Sequence, residues 1–326
     1  MKLQNLGERE LISRIRKDFS GFSPDVLIGI GDDAAVIRSG KKNLIITQDL
    51  LFEGIHFLKA LHPPFLLGRK SLNVNLSDVA AMGGAPKYAL LGLGLPPETD
   101  SNWLKEYFSG FRSASEEEGV ALIGGDVSAA KNISISVTVI GEGKNIIQRG
   151  GAQEGHLLFV SGSLGDARQG LILLKKGCRL SDDKKADPFL QAFLNPLPQI
   201  TLGQELSRLN LASSMIDVSD GLSVDLFHLC QESRVGAEIY LEKLPLSPEI
   251  HNFQKQPYRL ALHGGEDFQL LFTVPPQNLK SLLRLQKKHK ITSIGKVIKK
   301  RAILLVDRKG KRKPLAIRGY QHFKTS

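Results

Sequence analysis

Cysteine is nearly absent: Cys178 and Cys230 are the only two, far apart and in no Cys-x-x-Cys pair. That excludes a disulfide framework and a thiolate zinc site, and makes a reducing cytoplasm the simplest setting. A His-Glu-x-x-His pattern is missing as well, which removes the metalloprotease reading. No apolar run approaches the roughly 18 residues of a membrane span. The start, Met1 to Glu10, is too charged for a signal peptide. A soluble chain is expected. Gly165 to Gly170 has the first half of a phosphate-loop spacing, but Leu171-Ile172 stand where Lys and Ser/Thr are needed, so a Walker-type site is excluded.

Glycine is abundant by contrast, with 32 in 326 residues, above the usual level of about 7%. Many of these glycines sit beside aspartates. The length suggests two domains, and the pattern pauses from Gly141 to Gly151, so the expected division is 1–145 and 146–326. The net charge of +11 is local. Between Lys280 and Ser326 there are 16 Lys and Arg against one acid, Asp307, so this tail carries +15 and the rest −4. Such a run is either a solvated face with a hairpin turn or a surface for a polyanion. For a nucleic-acid surface it offers few stacking groups, since Tyr320 and Phe323 are its aromatics.

Periodicity gives a mixed order of elements. Leu11, Ile12, Ile15 and Phe19 share a face of a short helix. Val26–Ile37 reads as strand, acidic turn, strand, and Asn43–Thr47 as a strand delivering Asp49 at its end. Pro64 opens a helix that Gly83-Gly84 stops, with Ser71, Asn75 and Asp78 as a polar stripe along it. Ile133, Ile135, Val137 and Val139 alternate with polar residues, the pattern of a half-buried strand. The strands and helices lack the strict alternation of a doubly wound sheet, which predicts mixed α/β of the α+β type in each half.

One local grammar recurs: an acid beside Gly or Ser at the end of an apolar segment. It appears at Gly31-Asp32-Asp33, Ser77-Asp78, Gly125-Asp126, Ser219-Asp220 and Gly265-Glu266-Asp267, and Gln48-Asp49 places an acid after an apolar run without the Gly or Ser. Isolated aspartates in turns commonly cap helices, and Asp220 reads equally as a cap or a cation ligand. Asp32 and Asp33, adjacent between glycine and alanine, raise each other's proton affinity unless a cation compensates. Although Gly29-x-Gly31-x-x-Ala34 fits a dinucleotide fingerprint, these two acids would face a pyrophosphate with like charge. Oxygen ligands without His or Cys select Mg²⁺, which typically arrives with substrate phosphates. Phosphoryl transfer is therefore the expected chemistry.

The ordered set Gly31-Asp32-Asp33-Ala34, Thr47-Gln48-Asp49 with His56, Asn73 to Gly83, Ile123-Gly124-Gly125-Asp126, Ile216 to Leu222, Gly264-Gly265-Glu266-Asp267 and Gly319 to Phe323 resembles the thiamine-monophosphate kinases. These belong to the superfamily of aminoimidazole-ribonucleotide synthetase. The resemblance implies an N-terminal half that pairs in a dimer-spanning barrel, a C-terminal α+β sandwich, and phosphoryl transfer from ATP to thiamine monophosphate by a cytoplasmic homodimer. It implies further that Asp33, Thr47, Gln48, Asp49, Asp78, Asp126, Asp217 and Asp220 hold several Mg²⁺ ions, Gln48 through its backbone carbonyl. Gly125, Asp126, Arg149 and Ser219 would meet ATP, and His56, Glu266 and Tyr320 the thiamine side. No acid or base residue is implied. Gln48, where Thr is common, and Val127-Ser128, where a Thr pair often follows, depart from the pattern. Selenophosphate synthetase, from the same superfamily, would want a reactive residue near the N-terminus, and no Cys precedes Cys178.

Overall fold

An 18-residue helix, Pro64–Ala81, lies between two sheets and packs on both. The computed structural model describes residues 8–18 and 23–320; Phe19 and Gln321 to Phe323 lie outside them. Proline in the first turn costs no helical hydrogen bond, and Gly83, at φ +71°, takes the left-handed geometry that ends the run. Most of its residues are buried, on every side rather than along one stripe, as in a helix enclosed by protein. Polar residues on such a helix need partners inside the fold.

The first sheet has six strands: β1 (Val26–Ile28), β2 (Ala35–Ser39), β3 (Lys42–Phe52), β4 (Ala85–Leu95), β5 (Ala121–Ala129) and β6 (Ser134–Gly143), in the order β1-β2-β3-β6-β4-β5. Pairing is antiparallel except between β4 and β5, which run parallel and are joined through the helix Ser101–Glu118. Asp100 caps that helix by accepting from the N–H of Asn102 and Trp103, and Gly119 closes it. The two helices of this half approach very closely: a Cβ on Gly68 would lie 2.0 Å from the Tyr107 carbonyl oxygen, and one on Gly110 1.8 Å from that of Phe65.

Two acidic motifs sit deeper in strands than their sequence suggests. The ladder of β3 with β6 runs unbroken from Asn43 opposite Gly143 to Phe52 opposite Ser134, so Thr47-Gln48-Asp49 lies in a strand interior and not at its end. Gly124-Gly125-Asp126 likewise belongs to β5, with Asp126 opposite Gly92. One face of this sheet is open: Gln48, Leu50, Phe52, Tyr88 and Leu90 are exposed, and so is every residue of β5, including Leu122, Ile123 and Val127. A cavity of about 320 Å³ along this face is lined in part by Leu50, Gly92, Asp126 and Ser136.

The second sheet comprises β7 (Leu157–Ser161), β8 (Ser214–Asp217), β9 (Gly236–Tyr240), β10 (Leu270–Val274), β11 (Ile291–Ile298), β12 (Ile303–Val306) and β13 (Arg312–Pro314). Their order is β13-β12-β9-β11-β7-β10-β8, antiparallel except for β12 on β9. The expected C-terminal hairpin is β12–β13. Basic side chains of this edge meet acids of the same half, Arg312 on Glu238, which Lys296 of the interior strand β11 also meets, and Arg308 on Glu242. Charged residues on an edge strand also oppose unwanted strand pairing.

The halves do not keep separate cores. One buried cluster joins Ile45, Leu72, Leu76, Val79, Ile135 and Val137 to Leu202, Leu206, Met215, Leu270 and Phe272. A second cluster lies within the later half, around Leu158, Ile216, Leu226, Ala237 and Ile294. Gly203 serves the shared core, since a Cβ there would lie 2.2 Å from the Ala80 carbonyl oxygen. Cys178 and Cys230 are both free thiols.

Candidate active site

The Pro64–Ala81 helix presents its polar residues to a pocket of acids drawn from both halves. Ser71 meets the Tyr107 hydroxyl at 2.9 Å. Asn75 accepts the Asp49 N–H at 2.9 Å, and Thr47 donates to Asp78 at 2.5 Å. From the later half Asp217, at the end of β8, accepts from Ser77 at 2.7 Å. The result is a group of three carboxylates, Asp33, Asp78 and Asp217, with oxygens within 4.8 Å of one another.

Burial at close quarters makes these groups hard to ionise. Burial, reinforced by Asp33, pushes Asp217 up to about 8. Asp78 is raised well above the usual carboxylate range by burial and then by Asp49, Asp217 and Asp33. Asp49 reaches about 6, through burial and the charge of Glu266. Asp33 is raised by burial against the pull of Arg149, whose guanidinium donates to it at 2.6 Å. Arg149 in turn stays firmly protonated, its own burial outweighed by Asp33 and Asp32. The second oxygen of Asp33, Oδ2, is buried with no hydrogen-bond partner among the described residues. An acceptor in that position fits a cation.

Asp32 has a different task. Its carboxylate accepts the N–H of Asp33 at 3.0 Å and that of Arg149 at 3.2 Å, which ties the Gly31 turn to the start of the later half. Burial and the adjacent Asp33 still raise it to about 6. Asp32→Asn is expected to keep activity within about tenfold, because an asparagine Oδ1 can still accept the N–H groups of Asp33 and Arg149. Asp33→Asn is expected to cost about a hundredfold in turnover, at the low end for losing one electrostatic contact to a reacting group. Equal losses in a side-by-side assay would refute the division.

A second cluster adjoins the first. Glu266, at φ +71°, donates its N–H to the Ser219 carbonyl at 2.7 Å. The Tyr320 N–H reaches the Asp220 carbonyl at 3.1 Å. The rings of Tyr320 and His56 lie 6.4 Å apart, and His56 Nδ1 accepts the Phe52 N–H at 3.0 Å. His56, Ser219, Asp220, Glu266 and Tyr320 are thus linked. Asp220 lies before Gly221, which starts the Leu222–Ser233 helix without a side-chain cap; the Gly221 N–H is instead held by Asp225 at 3.0 Å.

Other expected residues stand apart. Gly125 and Asp126 are exposed on β5, and Asp126 is not among the three clustered carboxylates. Strand alternation turns the Gln48 side chain to the open face of the first sheet, where it donates to Ser136 at 2.7 Å, opposite to Thr47 and Asp49. Its backbone carbonyl is what remains for the acidic side. Sequence reasoning missed Lys70, Ser77, Asp225 and the capping role of Asp267. Asp267 is pushed by burial to about 8 and accepts from Gly165 and Ala167 at the head of the Asp166–Lys175 helix. Asp225 is raised well above the usual range by burial and then by Asp220 and Asp217. Its position four residues beyond Gly221 was the available signal.

Two mixed sheets around one shared helix, with acids contributed from both sides, define the class. Residues 31–142 match the family described as AIR synthase related protein, N-terminal domain, and residues 153–307 match the corresponding C-terminal domain. The chain is 37% identical over 331 residues to the thiamine-monophosphate kinase of Aquifex aeolicus, covering 99% of this chain and 100% of that protein. With the enzyme of Escherichia coli K12 it shares 37% over 327 residues, 98% of this chain and 99% of the relative. A solved structure described as AaThiL complexed with AMPPCP and TMP superposes with a TM-score of 0.89 at 36% identity, covering 99% of both chains. The chain belongs to the thiamine-monophosphate kinase family.

Proposed function

We propose that this protein transfers the γ-phosphoryl group of ATP directly to thiamine monophosphate, in line, giving thiamine diphosphate and ADP. The observation that carries the reading is the buried Asp33–Asp78–Asp217 group with its unpartnered Oδ2, in a chain alike over its full length to kinases of that name. Asp33, Thr47, Asp49, Asp78, Asp217 and Asp220, the Gln48 carbonyl and Asp126 would hold several Mg²⁺ ions. When bound, these ions supply charge neutralisation on phosphate oxygens. The excess of buried acid over the single guanidinium of Arg149 supports more than one divalent ion.

The phosphate of the acceptor has a second pKa of about 6, so at neutral pH its attacking oxygen is mostly anionic and no strong base is required. What the chain must supply is orientation and relief of repulsion between two phosphates. Gly125, Asp126, Arg149 and Ser219 would face ATP. Glu266, His56 and Tyr320 would face thiamine, whose thiazolium cation suits an acid and an aromatic ring. The linkage of Ser219, Asp220, Glu266 and Tyr320 supports neighbouring sites for the two substrates.

A homodimer formed through the open face of the first sheet is part of the same reading. The exposed apolar residues of β3, β4 and β5 support it, because a monomer rarely leaves such an apolar face uncovered. Domains of 1–145 and 146–326 and a cytoplasmic site of action complete it. Nucleic acid has no part in this reading. The test is ADP release from ATP and Mg²⁺ with thiamine monophosphate, against thiamine and aminoimidazole precursors. Absence of turnover with the monophosphate, or turnover with a precursor instead, would sink the reading. Sedimentation at monomer mass would sink the dimer.

A further inference from the structure

Lys70 is a lysine placed almost wholly inside the protein, with 1% of its surface exposed. It lies on the Pro64–Ala81 helix about one turn before Asn73. Its ammonium group forms an ion pair with Glu266. The same nitrogen donates to the Phe193 carbonyl at 3.0 Å and stands 4.0 Å from the centre of the Phe193 ring. Three acceptors of different kinds therefore hold one cation. Its neighbours on the helix anchor the same segment of the later half: Arg69 donates to Asn195 and Asn73 to the Pro196 carbonyl.

A buried lysine is expensive unless its partners are fixed, and a lysine on a surface face would have served the helix as well. Glu266, for its part, sits on a backbone at φ +71°, a geometry that non-glycine residues adopt only under constraint. Its carboxylate also stands close enough to Asp49 to repel it. Left alone, such a carboxylate would rotate away from that repulsion and into solvent, because its side chain is about one-third exposed. The lysine removes that freedom.

We propose that Lys70 is a positioning residue for the acceptor substrate: through its ion pair it fixes the Glu266 carboxylate at the edge of the acidic pocket, where Glu266 meets the organic cation of thiamine monophosphate. The inference rests on the acceptor reading above. It assigns Lys70 no contact with either substrate and no part in phosphoryl transfer itself. Its effect is confined to the acceptor side, since its partners are Glu266 and the Phe193 segment.

Steady-state kinetics of the full-length protein with ATP, Mg²⁺ and thiamine monophosphate, on wild type, Lys70→Met, Glu266→Gln and the double variant, tests this. Lys70→Met should raise KM for thiamine monophosphate about tenfold, the effect of one lost charged contact, with KM for ATP and kcat each within about threefold. The double variant should match Glu266→Gln within about twofold, because the lysine acts only through that carboxylate. It also avoids an unpaired buried charge, so it remains informative if Lys70→Met does not fold. An unchanged acceptor KM in folded Lys70→Met overturns the proposal, as does a double variant at least fivefold worse than Glu266→Gln. Wild type without turnover on thiamine monophosphate overturns the acceptor reading as well, which distinguishes the two failures.

Discussion

Asp78→Asn is expected to lower kcat by about a thousandfold, the upper range for removing one preorganised electrostatic group, while raising the stability of the metal-free protein. The two effects have one cause. Asp78 lies with oxygens within 4.8 Å of those of Asp33 and Asp217, and burial followed by the charges of Asp49, Asp217 and Asp33 makes it hard to ionise. Asparagine keeps the shape and can still accept from the Thr47 hydroxyl, now 2.5 Å from Asp78 Oδ2. It removes only the charge. Relief of repulsion among buried carboxylates should stabilise the metal-free fold by about 2 kcal/mol, as when a site strained for function is neutralised. Thermal melts in EDTA and ADP-release assays in Mg²⁺, run on the same preparation, check both halves. A variant that lost activity and metal-free stability together would show that Asp78 is a structural residue.

The place of Asp78 was legible in the sequence because a carboxylate within an apolar helix has few structural excuses. The helix itself was readable from Pro64 and from Gly83-Gly84. Its partners were not, because they come from 31 residues back for Thr47 and 140 residues on from Ser77 for Asp217. Local patterns fix which residues are polar and which strand or helix carries them; which faces meet depends on how two sheets close over one helix. Lys70 shows the limit. A lysine on a helix reads as solvent-facing, and only the Phe193 segment and Glu266, 196 residues away, enclose it. Asp49 shows a smaller one: an apolar run ending at Thr47 reads as the end of a strand, but the ladder to β6 carries the strand on to Phe52. Asp126 shows a third, since the Gly-Gly-Asp motif alone does not say that its strand lies exposed at a sheet edge.

Metal removal should invert the pH dependence of stability. An unfolded aspartate titrates near 3.9, whereas folding raises Asp49 and Asp32 to about 6 and Asp217 to about 8, in each case chiefly by burial. Between these values the folded chain holds more protons than the unfolded one, so stability without metal is greatest at low pH and falls as pH rises. Each unit of separation is worth about 1.4 kcal/mol, so Asp49 alone contributes a loss of about 3 kcal/mol by pH 8. On the proposed reading divalent cations would bind the ionised carboxylates in competition with protons, so their stabilisation should grow with pH. In EDTA the melting temperature should drop steadily from pH 5 to pH 8.5; in millimolar Mg²⁺ it should hold level or rise over the same range. The gap between the two curves should shrink in Asp78→Asn. A metal-free melting temperature independent of pH across that range would mean that these carboxylates are solvated and ionised in the folded state, and the case for a shared cation site would fail with it.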